Sequence, residues 1–306
     1  MKLVAEYLGG SSDISRAEIR GLLKSYGGNI SGEMDKLIFF STDHPEKIVS
    51  RVAFSKRIGK IIDWNEQISI GTEKRYAIRE KRNLERESLI EQVAKRIDGR
   101  VDLGNPDVIF YIYNFNEPVI TETIYERKMN VLLDQKYKTK PMNHPSSISP
   151  ILARGMINIA GLKEGDVLID PFAGTGTYLI EGFRMGIESY GIDRSWKMVE
   201  GGNLNLKHFG FPTNIKQGDF SELVSFPKNA TIVTDPPYGR GAKIFSQSRE
   251  SLYSRFFSLI SGTSGVKVFC IPTEELVTLA KEYMELKIVG EIRVHSSLTR
   301  RIAISM

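Results

Sequence analysis

Two segments and one isolated carboxylate have residue types and spacing that could do chemistry: Asp170-Pro171-Phe172-Ala173-Gly174-Thr175-Gly176, then Asp193, then Asp235-Pro236-Pro237-Tyr238-Gly239. Glycines at 174 and 176 let a backbone turn sharply and approach a ligand closely, where a Cβ would intervene. Asp193 follows about 20 residues on, the offset at which a carboxylate ending the next strand can accept hydrogen bonds from both hydroxyls of a ribose. A dinucleotide fits poorly. It needs a third glycine in G-x-G-x-x-G and a helix N-terminus open to pyrophosphate, yet Gly176 is followed by Thr177-Tyr178-Leu179 and Asp170 adds negative charge. A nucleoside carrying a cationic methionine moiety suits this acidic loop far better, and S-adenosylmethionine is such a ligand.

In Asp235–Tyr238, two successive prolines remove backbone donors and stiffen the loop, as expected if the Pro236 carbonyl must point rigidly at a substrate. The exocyclic amine of a nucleobase is a poor nucleophile, because its lone pair is delocalised into the ring. A carboxylate and a carbonyl that accept its two N–H bonds push density back onto nitrogen, and Asp235 with Pro236 supplies that pair. Pro237 completes the rigid turn, and Tyr238 offers a flat face for a base. This pattern serves exocyclic amines generally and leaves guanine and adenine equally open.

These residues can cooperate only if their elements bring them to one edge. Beyond residue 150 apolar runs alternate with helical stretches: strands at Asp166–Asp170, Glu188–Asp193, Asn214–Gly218, Ala230–Asp235 and Val266–Ile271, and helices at Tyr178–Met185, Ser195–Phe209, Arg249–Ile260 and Thr273–Tyr283. That order predicts a parallel, doubly wound α/β sheet with ligands at its carboxyl edge. Final runs at Leu286–His295 and Arg300–Ile304, with no helix between them, predict a closing antiparallel hairpin. Upstream, strands are expected at Lys2–Leu8, Lys36–Phe40, 68–79, Asp107–Tyr113 and Val119–Glu126, and helices after Ser12-Asp13, over Pro45–Ile58 and over 85–97. The βαβα order there suggests a small sheet with helices on one side. A basic, proline-containing stretch from Val131 to Ser149 reads as an extended connector. The expected division is therefore 1–130, a linker at 131–143, and 144–306.

Composition narrows the classes. Of 306 residues, 41% are hydrophobic and 26% charged, as in a packed globular protein. The single cysteine, Cys270, cannot form an internal disulfide, and four scattered histidines give no metal-ligand cluster, so no metal is expected. Glu6 falls where a signal peptide would be apolar and no transmembrane run occurs, so the expectation is a cytoplasmic protein with no membrane association. Residues 51–100 hold 13 Lys/Arg against 8 Asp/Glu, an excess equal to the whole chain's +5. Lys74, Arg75, Arg79, Lys81 and Arg82 crowd one short piece. Such a run is either a solvated strand face or a phosphate-contacting surface.

His144-Pro145-Ser146-Ser147-Ile148-Ser149-Pro150 with Ala153-Arg154, the two acidic motifs, and Ser297-Leu298-Thr299-Arg300 together resemble the archaeal tRNA guanosine-10 N2-methyltransferase family. That resemblance covers about residues 141–306. It implies a Rossmann-like seven-stranded methyltransferase domain preceded by an α+β ferredoxin-like and THUMP RNA-binding region. It also implies methyl transfer from S-adenosylmethionine to N2 of a guanosine in tRNA; the sequence itself calls for no protein partner. Asp170, Phe172, Ala173, Gly174, Thr175 and Gly176 would line the methionine end, Asp193 the ribose, and Asp219 with Phe220 the adenine. His144 through Ser149 would close over the cofactor. Thr177 stands where relatives commonly have another glycine. The readings left open beside it are an N6-adenine methyltransferase on RNA or DNA and a non-catalytic RNA-binding partner protein.

Overall fold

The computed structural model describes residues 1–8, 12–81, 89–127, 135–238, 249–295 and 298–306. In the N-terminal half, strands β1 (Lys2–Tyr7), β2 (Asn29–Met34), β3 (Leu37–Ser41), β4 (Ser55–Ile62), β5 (Arg75–Lys81), β6 (Arg100–Val101), β7 (Val108–Tyr113) and β8 (Val119–Glu126) form one sheet in the order β2-β3-β1-β4-β8-β7-β5-β6. The helices of this half are α1 (Ser12–Tyr26), α2 (Pro45–Arg51) and α3 (Leu89–Ala94). Tyr76, Ile78, Phe110, Ile112 and Ile120 alternate onto the face that packs with Val93 of α3.

Two expectations change here, and one strand is added. The helix expected over Pro45–Ile58 stops at Arg51, and Ser55–Ile62 is a strand. Phe54 and Ile58 have helical spacing, but pairing of 55–62 with both β1 and β8 overrides it. The strand expected over 68–79 starts only at Arg75; Ile68 makes a lone bridge to Ile97. Strand β2 went unforeseen because Asn29–Met34 is polar and lies at the sheet edge, where no apolar alternation is needed.

Packing divides the chain into two compact units: Met1–Leu8, Gly28–Val49 and Ser55–Arg127 in one, and Gly9–Gly27, Ser50–Phe54 and Lys128–Met306 in the other. The single cut expected near 130–144 is therefore crossed twice, because α1 and residues 50–54 pack with the C-terminal part. Within that second unit the reason is a buried polar joint against α5 (Pro150–Ile159). Glu18, fully buried, accepts from the amides of Ala53 (2.7 Å) and Phe54 (2.9 Å) and from Asn158 Nδ2 (2.9 Å). Arg51 adds bonds to Asn158 Oδ1 (3.3 Å) and the Leu162 carbonyl (2.9 Å). Gly21 lets the two helices approach, since a Cβ there would lie 2.0 Å from the Asn158 carbonyl oxygen.

Burial pushes the Glu18 carboxyl up to about 7, against the pull of those donors. A folded value above the unfolded one gives stability that is complete below about 4.5 and lost as pH rises through about 7. Glu18→Gln is expected to cost about 1–2 kcal/mol at pH 5, less at pH 8, and to make the pH dependence shallower. Urea unfolding at the two pH values checks this; a cost that grows with pH would contradict it.

The second unit continues with α4 (Gln135–Lys138), β9 (Val167–Asp170), α6 (Thr177–Arg184), β10 (Glu188–Asp193), α7 (Trp196–Phe209), β11 (Ile215–Gln217), a 3-10 turn at Phe220–Ser225, β12 (Thr231–Thr234), α8 (Arg249–Ser261), β13 (Lys267–Ile271), α9 (Glu274–Lys281), β14 (Lys287–His295) and β15 (Leu298–Ser305). Its seven strands run β11-β10-β9-β12-β13-β15-β14; the first five are parallel and β15 is antiparallel to both neighbours. The expected hairpin is present, with the last strand inserted between β13 and β14. Both faces are covered: Leu168 points into a core with Met156, Ile157 and Tyr178, Ile169 into one with Phe256, Phe257 and Val277. Helix α5 was hidden by the proline that opens it. Pro150 occupies the first turn, where no amide is needed, and Ser149 caps it by accepting the Leu152 N–H.

Candidate active site

The glycine loop leaves β9, the central strand, and turns into α6. Gly174 (φ 51°) and Gly176 (φ 79°) both adopt left-handed backbone. Asp193, at the end of neighbouring β10, accepts the Gly174 N–H on one oxygen and the Ser195 N–H on the other, each at 2.8 Å. Each oxygen keeps a lone pair for a diol. Burial raises this carboxyl and the two amides oppose it. Ala173 bonds back to the Ile192 carbonyl at 2.9 Å, so loop and β10 are laced together. From below, Gly202 of α7 leaves the room the loop needs, since a Cβ there would meet the Gly174 oxygen at 2.8 Å.

Asp170 is 1% exposed. Its Oδ1 accepts from the Phe172 amide (3.1 Å) and the Thr234 hydroxyl (2.6 Å), and burial pushes the carboxyl up to about 7. Thr234 immediately precedes the second motif, so this bond couples the two motifs across adjacent strands β9 and β12. Sequence reasoning passed over Thr234, and equally Asn205 of α7, which holds the Thr175 carbonyl (3.0 Å) and both backbone groups of Met142. No spacing in α7 marks Asn205 as more than one polar residue on a helix.

The segment 144–149 lies against this loop at one point: Ser147 Oγ is 2.8 Å from Thr175 Oγ1. His144 is half-buried and bonded to Ser146, and Ser149 is spent as the α5 cap. Asp219 caps the 3-10 turn in a capping box with Glu222 and pairs with Arg255 at 3.3 Å. Burial would raise its carboxyl, but the Ser221 amide and the charges of Arg255 and Arg194 carry it below the ordinary value. Phe220 and Phe172 pack ring to ring at 5.3 Å. A cradle that only glycine fits, three acidic residues around it and a carboxylate with free lone pairs match a nucleoside with a cationic tail.

At the end of β12, Asp235 has a side chain 11% exposed. Its Oδ2 receives both Nε and Nη2 of Arg300 at 3.0 Å, while Oδ1 accepts from the Tyr238 hydroxyl. Pro236 is buried and Pro237 partly so; the buried Tyr253 hydroxyl donates to the Pro236 carbonyl at 3.4 Å. Burial pushes the Asp235 carboxyl up to about 6, with Arg300 holding it down.

In the other unit, strand alternation puts Arg75, Arg79 and Lys81 on the face opposite Tyr76 and Ile78. Arg75 is paired with Asp102 (3.3 Å) and Asp107 (3.2 Å), so it ties β5 to its flanking loop. Arg79 and Lys74 are exposed; Lys81 Nζ lies 5.4 Å from the Tyr111 ring centroid, and burial and Arg57 lower its basicity. Arg82 lies outside the described residues, as do Gly239 and Ser297.

The RMKL-like methyltransferase domain model matches residues 138–302, and a DNA methylase model matches 33–203, a span that holds the glycine loop but ends before Asp235. A tRNA (guanine(10)-N2)-dimethyltransferase of Methanothermobacter thermautotrophicus is 30% identical, with 95% of each chain covered. The chain belongs to the tRNA (guanine(10)-N2)-methyltransferase family. An enzyme of the same name from Pyrococcus abyssi is 29% identical over 96% of each chain. Among solved structures, TrmN from Thermus thermophilus is similar in fold along 99% of both chains, with a TM-score of 0.52 at 15% identity. In this methyltransferase the glycine loop and Asp235–Tyr238 follow adjacent strands, β9 and β12, at one sheet edge.

Proposed function

We propose that this S-adenosylmethionine-dependent methyltransferase methylates the exocyclic N2 of a guanosine in tRNA, at position 10, once or twice, in the cytoplasm. The observation that carries the reading is the pairing of β9 with β12, which sets the cofactor loop and Asp235-Pro236 side by side and joins them through Thr234 and Asp170.

When bound, S-adenosylmethionine supplies an electrophilic methyl on a sulfonium. The residues of this chain do the rest by position. Asp193 accepts the ribose hydroxyls and, through Gly174, fixes the loop. Asp170 lines the methionine end and ties the loop to β12 through Thr234. Asp235 and the Pro236 carbonyl accept the two N–H bonds of the amine, hold its lone pair in line, and give its proton a place to go. Tyr238 stacks on the extruded base. A tRNA transcript with adenosine in place of guanosine 10 should accept no methyl group. Undiminished transfer to that transcript would refute the position.

The N-terminal unit captures the RNA through backbone charge. Exposed Arg79 and Lys74 carry this role, Lys81 and Arg82 extend it, and Arg75 serves it mainly by shaping the strand. Arg79→Ala is expected to lower the slope of log affinity against log salt by about 1, as loss of one phosphate contact does. An unchanged slope in a filter-binding titration would assign Arg79 to a solvated face.

A further inference from the structure

Arg300 entered the sequence only as the end of a motif, with no role. Its place follows from topology. Strand β15 is antiparallel to β13, with Arg301 opposite Ile271, so β15 begins where the parallel strands end. Arg300 therefore arrives at the carboxyl edge beside Asp235, 7% exposed. The adjacent Arg301 faces the other way and binds Glu274 (2.6 Å), Glu291 (3.0 Å) and the Pro272 carbonyl (2.9 Å).

We propose that Arg300 is the positioning residue for methyl transfer, dividing the Asp235 carboxylate so that Oδ2 is held by the guanidinium and Oδ1 is kept for the substrate amine. The inference rests on the acceptor role given above to Asp235. Both guanidinium bonds converge on Oδ2, at 3.0 Å, which fixes the rotation of the carboxylate. Oδ1 accepts from the Tyr238 hydroxyl, a neutral donor that an amine N–H can replace. Arg300 Nε lies 2.9 Å from that same hydroxyl oxygen, so the displaced tyrosine keeps a partner and its ring stays near the guanidinium. Tyr238 thus marks in the free protein where the amine binds.

The cation has a second effect. Around Asp235 stand Arg300 from β15, Tyr238 from its own loop, Cys270 from β13, Tyr178 from α6, Tyr253 from α8 and Asp170 from β9. The positive charge and hydrogen bonds of Arg300, joined by a smaller hydrogen bond from Cys270, oppose the burial that raises the Asp235 carboxyl. Without it the acid would hold its proton to higher pH and could no longer accept from the amine.

The test uses the full chain with tRNA transcript and labelled cofactor, measuring single-turnover transfer from pH 5 to 9 and cofactor affinity by calorimetry. For Arg300→Gln, transfer at pH 7 is expected to fall about 10- to 100-fold with cofactor affinity within about threefold. The acidic limb of the profile should move up by about one pH unit or more. Arg300→Lys restores a cation without the fork, so the limb should return towards wild type while the rate recovers only in part. Should Arg300→Gln not fold, the rate and limb of Arg300→Lys decide alone: a wild-type rate in that variant would refute fork positioning. An unmoved limb in Arg300→Gln would reduce Arg300 to a structural residue. Failure of the wild-type protein to methylate any guanosine would instead overturn the proposed function, leaving the limb on whatever base is methylated to judge Arg300.

Discussion

Asp235→Asn is expected to lower methyl transfer by about a thousandfold or more at saturating S-adenosylmethionine, with cofactor affinity changed by less than about threefold. Asparagine keeps the shape and one acceptor but removes the charge that the amine must feel. It also leaves Arg300 facing a neutral group, and its NH2 can turn toward the amine it should accept from. The cofactor loop is untouched, because it is held by Asp193 and Asn205. The sign of the pH dependence follows from the same carboxyl. Burial lifts it to about 6, and the ionised form is the acceptor, so transfer rises with pH through about 6 and then levels. For stability the sign is opposite: the raised value makes this group's contribution complete below about 3.8 and lost as pH passes about 6. Comparable loss of cofactor binding in Asp235→Asn, measured by calorimetry, would contradict this division of labour.

Asp193→Ala should act at the other end. Removing it loses the charged acceptors of the ribose hydroxyls and also frees the Gly174 and Ser195 amides it now holds. Hydrogen bonds to a charged group contribute about 1.5–3 kcal/mol, so cofactor affinity should weaken by about 2–3 kcal/mol, about 30- to 150-fold. At saturating cofactor the transfer rate should stay within about tenfold, since Asp235 and Pro236 are unaltered. Calorimetry and single-turnover kinetics separate the two effects, and a rate loss that saturating cofactor does not relieve would place Asp193 in the transfer step itself.

The doubly wound sheet was legible because its central parallel strands are apolar runs separated by helices, and buried parallel strands can be little else. Asp170, Asp193 and Asp235 could be placed because each ends such a strand. The N-terminal unit was harder. Its strands are partly polar and paired across long separations, as β4 is with β1 and β8, and local pattern cannot report such pairing. The assignment of α1 to the C-terminal unit depends on Glu18, Arg51 and Asn158, three polar residues whose burial no periodicity announces. Within the site, Thr234 and Asn205 were missed and Arg300 was left without a role for one shared reason: each acts by holding another residue, and only tertiary structure shows what it holds.

The central claim, N2 methylation of a tRNA guanosine, is tested most directly by incubating the full chain with unmodified tRNA transcript and labelled S-adenosylmethionine, then digesting the RNA and identifying labelled nucleosides by mass spectrometry. The account predicts N2-methylguanosine, its N2,N2-dimethyl form, or both. Label in N6-methyladenosine alone, from a preparation shown to bind the cofactor, would contradict it.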